Sequence, residues 1–404
     1  MLTPRVRMFH EEEQEEEELE VAGGSNISNN NPLVAQAALP DSVASATEFN
    51  NNTNATTNDD DDDDVDNNEL PTPVELSKKL CRIVDPDRYS RNEACCALNK
   101  LYQWAATKDP EYLKYFYKYA GIIKVLDFLK ATMNDLNCVG TVRMDCIKNA
   151  AEVIGQVSYR GEGNSNIEIV TKIITSAIDH NCINTLLSAS DEYSGRDDAP
   201  QLQALRGVWF AMRNIIFLKD IVITQDQAII VFEAGIDILS QLKLYDGPIV
   251  SSILRVVFDT LYNIIHRNYM DKENFQNKHI FSKCLDVFRK DGIWGDRNEK
   301  IMDAAIDFFD YCRCRKLLKD SDDYEMILPF LAVGLKKFGS NPDSNDILVN
   351  AIALIQQACD SIQDKKIIEK SGVMESLSVL LASNNINEDQ KKKIRKVIVK
   401  IAAP

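Results

Sequence analysis

A chain of 404 residues with 45% hydrophobic content can bury two or three ordinary cores or build one continuous repeat array. Its net charge of −16 sits wholly in residues 1–70, where eighteen Asp and Glu face only Arg5 and Arg7; the other 334 residues carry 44 acids and 44 bases. The balanced remainder excludes the broad basic footprint of a nucleic-acid-binding body, and no uninterrupted apolar run approaches the roughly 18 residues that span a bilayer.

The N-terminal segment has no apolar core after its basic residues, only Glu11–Glu20, so it is not a secretory signal. An Asn-rich stretch and the run Asp59–Asp64 follow. Such a segment buries too little apolar surface to offset its ordering entropy, and a disordered acidic tail is expected over 1–70. It could serve as an acidic arm for a basic partner, but a solubilising leader is the plainer reading. Pro71 and Pro73 mark the start of a folded domain over 71–404.

From Val74 onward apolar residues recur at helical spacing and no strand pattern appears. The clearest stretch is Gln201–Asn268, read as a long helix, a short helix opened by Ala234-Gly235, and a second long helix. In the first, Leu202, Leu205, Trp209, Met212 and Ile216 step by 3, 4, 3 and 4; in the last, Val250, Leu254, Val257, Leu261 and Ile264 step by 4, 3, 4 and 3. Both are apolar beyond that stripe, as helices covered on two sides must be. Pro200 and Pro248 stand where a helix start tolerates a missing N–H. Four anchors, Gly121, Asn181, Ala234 and Gly372, are each followed by an apolar residue at +2 and Leu at +5. Three of them lie in Ala-Gly or Ser-Gly steps that suit a turn between helices.

A polar residue recurs near the end of each long helix: Gln103, Gln156, Asn214, Asn263, Asp310, Gln357 and Lys400, at intervals of 53, 58, 49, 47, 47 and 43. A helices-only period of this size is the mark of an α-solenoid, with about seven units from Val74 to Pro404. The Gly-Ile-x-x-x-Leu-x-x-Leu short helix, followed by a long helix ending Arg213-Asn214-Ile215-Ile216 or Tyr262-Asn263-Ile264-Ile265, resembles the armadillo repeat. Around 270–340 a HEAT-like helical pair fits as well.

The resemblance implies an all-α, right-handed solenoid, an armadillo-like superhelix whose third helices line a concave groove. In that family the groove is a peptide track, and an Asn near the end of each third helix holds the bound backbone. Asn214 and Asn263 match that motif. Gln103, Gln156 and Gln357 keep the amide chemistry, while Asp310 and Lys400 break it. The partner-binding groove expected from these positions comprises Gln156, Arg206, Phe210, Arg213, Asn214, Arg255, Asp259, Tyr262, Asn263 and His266. An i, i+4 pair between Arg255 and Asp259 on a merely solvated face is the competing reading. An import receptor would carry an aromatic four residues before most ladder positions. Of Asn99, Glu152, Phe210, Asp259, Ile306 and Ala353, only Phe210 conforms.

Lys391-Lys392-Lys393-Ile394-Arg395-Lys396 has the look of a nuclear localisation signal, but a polar cap on the terminal repeat explains it better. Gly161-x-Gly163 lacks the third glycine of a dinucleotide loop, the four histidines are dispersed, and no Walker A, HExxH or GxSxG motif occurs. Ten cysteines without metal-ligand spacing suggest packing in a reducing compartment, cytosol or nucleus. The expectation is a non-enzymatic, monomeric scaffold that needs no cofactor or metal and binds a protein or peptide segment, without nucleic acid or membrane insertion. The alternative is a chaperone or nucleotide-exchange-type cofactor embracing a folded partner domain.

Overall fold

The computed structural model describes residues 91–107, 109–159, 167–194, 198–218, 221–242, 247–270, 299–318, 321–341 and 345–403. All fall in one of two compact units, which spans Pro71–Arg160 and Ser165–Pro404. The other, Met1–Leu70 with Gly161–Asn164, lies outside the described residues, and the expected acidic tail with it. Pro71, Pro73, Gly161-x-Gly163, Cys81, Cys284 and Trp294 also lie outside them.

The described residues form fifteen helices and no strand. In chain order these are α1 (Arg91–Ala106), α2 (Pro110–Lys118), α3 (Gly121–Asn134), α4 (Gly140–Ser158) and α5 (Ile167–Asp179). Next come α6 (Cys182–Tyr193), α7 (Ala199–Phe217), α8 (Gln225–Leu242), α9 (Pro248–His266) and α10 (Glu299–Cys314). The last are α11 (Ser321–Phe338), α12 (Asn345–Ser361), α13 (Lys365–Lys370), α14 (Val373–Ala382) and α15 (Glu388–Ala402).

Helix starts follow local chemistry. Asp109 and Asp198 cap α2 and α7, their carboxylates accepting from the backbone N–H of Glu111 (2.8 Å) and Gln201 (3.1 Å), with Pro110 and Pro200 in the first turns. Asn387 and Gln390 form a capping box on α15. Three of the four expected anchors open short helices, behind left-handed residues Ala120 (φ 51°), Asn181 (φ 66°) and Gly372 (φ 83°).

The fourth anchor opens nothing. α8 runs unbroken through Ala234-Gly235, so the short helix expected to open there is an 18-residue helix that starts at Gln225. A Cβ on Gly235 would stand 2.8 Å from Leu261 Cδ2 and 3.3 Å from Trp209 and Val257. This glycine lets α8 approach α7 and α9 closely. Glycine costs a helix interior about 1 kcal/mol, and the buried Phe232, Ile236 and Leu239 around it more than offset that.

The long helices α1, α4, α7, α9, α10, α12 and α15 pack each on the next in one row, and α3, α6, α8, α11 and α14 pack along its other side. The stripes expected to be buried are buried, from Leu202 to Ile216 in α7 and from Val250 to Ile264 in α9. Helices α2–α4, α5–α7 and α13–α15 make three-helix repeats, while α8–α9 and α11–α12 are pairs. The seven recurring polar residues all fall two to four residues before the ends of the long helices.

α9 differs from its sequence reading in one respect. By length and composition it is the one helix among the described residues long and apolar enough to cross a membrane, because averaging over its 19 residues absorbs Arg255 and Asp259. Its apolar residues are instead buried against α7, α8 and α10.

Arg143 ties the turn between α3 and α4 to α6. Its guanidinium donates to both carboxylate oxygens of Glu192 (2.6 and 3.0 Å) and to the carbonyls of Met133 (2.7 Å), Asp135 (2.9 Å) and Cys138 (3.2 Å). One side chain thereby satisfies the end of α3 and pairs with the neighbouring repeat.

Candidate functional site

Helical spacing brings Lys148, Glu152 and Gln156 of α4 to one face, beside Arg206, Phe210 and Arg213 of α7. Ser252, Arg255, Asp259, Tyr262 and His266 of α9 continue it, then Asp303, Asp307 and Tyr311 of α10. Gly155 and Gly207 allow α4 and α7 to approach closely. A Cβ on Gly155 would lie 2.5 Å from the Phe210 ring, and one on Gly207 would lie 3.3 Å from the Lys148 carbonyl oxygen. Phe210 therefore lies across Gly155, half-buried.

Side chains on this face bond across helices. Arg206 Nε donates to Ser252 Oγ at 2.9 Å. Arg213 Nη1 donates to Asp259 Oδ2 at 3.4 Å, its Nε to Asn214 Oδ1 at 3.2 Å, and its guanidinium stands 5.4 Å over the Phe210 ring. Arg213 thus reaches Asp259 from the neighbouring helix. Arg255 is half-buried on the same face. Tyr262 and His266 stack with centroids 5.5 Å apart, and Tyr311 packs against both at 5.0 and 5.1 Å. Burial, reinforced by Tyr311 and Asp307, pushes the Tyr262 hydroxyl up to about 12, which keeps it a neutral donor. Beyond it Asn350 Nδ2 donates to Asp307 Oδ1 at 2.6 Å.

The amides divide by use. Gln156 is buried and its Nε2 donates to Tyr102 Oη at 3.4 Å. Asn214, 4% exposed, donates Nδ2 to the Gly155 carbonyl at 3.0 Å, one of the acceptors left over at the end of α4. Asn263, 6% exposed, makes no side-chain hydrogen bond among the described residues. Gln103 and Gln357 are exposed.

Sequence reasoning missed the clasps at the ends of the long helices. Arg267 donates to the Phe217 carbonyl, Arg315 Nη2 to His266 O (3.1 Å) and Lys400 Nζ to Gln356 O (3.3 Å). Each reaches back one repeat, the two arginines to the last residue of a long helix, where carbonyl dipoles favour a cation. A basic residue four or five positions after Asn263 and Asp310 was the available signal. Tyr311 was missed too, and its place one residue after the ladder position Asp310 gave no hint of the aromatic cluster.

Glu152 carries a pH-dependent cost. Burial holds its carboxyl above the ordinary 4.5, against the pull of Lys148 and Arg206. A raised folded-state value means that this group favours the fold at low pH and that the benefit is lost as pH rises through that value. Glu152→Gln should remove the dependence. The melting-temperature gap between variant and wild type is expected to open above pH 4.5 and reach about 2 °C near neutrality; a gap that stays flat from pH 4 to 8 contradicts this.

No protein-family model matches the chain, and no curated protein matches it. Among solved structures it is similar to an engineered protein at 13% identity, covering 81% of this chain and 98% of that one, with a TM-score of 0.39. It is also similar to a designed armadillo repeat protein in complex with the peptide (KR)4 (15% identity, 82% and 100% covered, TM-score 0.37). A third is a computationally designed armadillo repeat protein for modular peptide recognition (16% identity, 80% and 99% covered, TM-score 0.39). By the order and packing of its own helices, short, short and long in three units with the long helices in one row, the chain has an armadillo-type helical-repeat fold.

Proposed function

We propose that the chain is a non-enzymatic scaffold whose long-helix face binds an extended segment of a partner protein. The observation that carries this reading is Asn263. Its amide makes no side-chain hydrogen bond among the described residues, and neither its donor nor its acceptor is sealed from solvent. It stands in the row of Asp259, Tyr262 and His266, where an extended backbone can satisfy its donor and its acceptor together. Arg206 and Arg255 supply guanidinium forks for carboxylates of the segment, and Tyr262 offers a neutral hydroxyl and an apolar ring. Asn214, bonded to Gly155, serves the repeat junction in this reading, and the backbone contact falls to Asn263.

The free cysteines of the described residues suit a reducing compartment, cytosol or nucleus. The Lys391–Lys396 cluster lies on α15, with Ile394, Val397 and Ile401 buried beneath it. Reading it as an extended signal would require unwinding that helix, so it serves here as a terminal cap. The test of the proposal is partner capture by wild type against the pair Arg206→Glu and Arg255→Glu. Capture lost with helicity intact supports the face, and capture unchanged removes it.

A further inference from the structure

Arg206 on α7 and Arg255 on α9 stand at one level of the face, each eight residues before a recurring amide, Asn214 and Asn263. Arg206 does not stay over its own helix. Its Nε donates to Ser252 Oγ on α9 at 2.9 Å, and Ser252 and Arg255 are surface neighbours at i, i+3 on that helix. Two guanidiniums and a hydroxyl therefore converge on one turn of α9. Arg206 is exposed, and Ser252 and Arg255 are half-buried, so solvent reaches this turn.

The charges here do not balance. On the α4, α7 and α9 part of the face, Arg213 and Asp259 pair at 3.4 Å and cancel. Lys148, Arg206 and Arg255 then stand against Glu152, three positive charges less one. A carboxylate brought to the turn answers one guanidinium of the two. A phosphate monoester carries about −1.5 to −2 charges at neutral pH and three acceptor oxygens. It can take both guanidinium forks and the Ser252 hydroxyl together. Toward α10 the face turns acidic at Asp303 and Asp307, so it suits one phosphate better than the repeated phosphates of a nucleic acid.

We propose that Arg206, Arg255 and Ser252 bind the phosphate of a phosphorylated residue in the partner segment. The proposal rests on the segment-binding reading above and names the anion that the two forks take. Eight residues of helix separate Arg255 from Asn263, a rise of about 12 Å. An extended chain covers that distance in about four residues, and positions four apart face the same way. The phosphorylated residue therefore lies about four positions from the one whose backbone meets Asn263.

The experiment measures, by fluorescence anisotropy, binding of the full chain to short degenerate peptide pools centred on phosphoserine, phosphotyrosine or unmodified serine. A phosphorylated pool is expected to bind at least about tenfold more tightly than the unmodified one. Arg206→Gln with Arg255→Gln should bring the pools level with helicity unchanged, and Ser252→Ala should lower the preference severalfold. Where the double variant loses helicity, Arg206→Gln alone, at an exposed position, carries the same test. Equal binding of the pools by wild type overturns the phosphate site and leaves the segment reading standing, whereas binding of no pool overturns both. A preference that survives the double variant overturns the site too. So does an oligothymidylate bound as tightly as the phosphorylated pool, which would mark the face for nucleic acid.

Discussion

Reversing Arg206 and Arg255 together to glutamate is expected to weaken partner capture by about a hundredfold or more, with helicity unchanged. A guanidinium bonded to a carboxylate contributes about 1.5–3 kcal/mol. Losing two such contacts costs at least about 3 kcal/mol, and every 1.4 kcal/mol is tenfold in affinity. The structural side of the change is small. Arg206 is exposed and gives up its bond to Ser252 and its pull on Glu152, and Arg255 is half-buried at mid-helix. Circular dichroism and quantitative capture on the same preparations check both halves of the expectation. Reversal of Lys392 and Lys393, exposed on α15, controls for bulk charge and should alter capture far less.

Arg143→Met should destabilise the array by about 3 kcal/mol. Both members of the Arg143–Glu192 pair are mostly buried, at 18% and 25% exposed, and the same guanidinium serves three carbonyls. The methionine fills much of the volume but leaves those acceptors and the Glu192 carboxylate without a donor, which is the costly half of breaking such a pair. Glu192→Gln should cost clearly less, because the carbonyl bonds survive it. Urea titration followed by circular dichroism measures the order, and equal losses in the two variants would show that the carbonyl bonds contribute little. Repeat proteins sum local and nearest-neighbour terms, so the loss should concentrate in α3 to α6.

The helix register could be read from the chain because it rests on local pattern. Stepped apolar residues, prolines in first turns and a polar residue near each long-helix end require no knowledge of neighbours. Ala234-Gly235 misled for the opposite reason. In the chain a glycine there looks like a turn, and only the approach of Leu261 and Trp209 shows that its missing side chain serves packing within a continuous helix. The candidate face divides along the same line. Its membership follows from spacing within each helix. The partner of each side chain depends on where the next repeat comes to lie. Arg213 could not be matched to Asp259, nor Asn214 to the Gly155 carbonyl, from spacing alone. Arg143 escaped notice because its five bonds converge from two separate segments, residues 133–138 and Glu192, neither of which marks it out in sequence.

The most direct measurement is site-specific photocrosslinking in the presence of the captured partner. A photoreactive aromatic residue replacing Tyr262 on α9, compared with one replacing the exposed Val379 on α14, samples the proposed face and a surface away from it. Crosslinks from position 262 to one continuous partner segment, with none from 379, are the predicted result. Crosslinks from 379 and silence at 262 would place the partner elsewhere on the array.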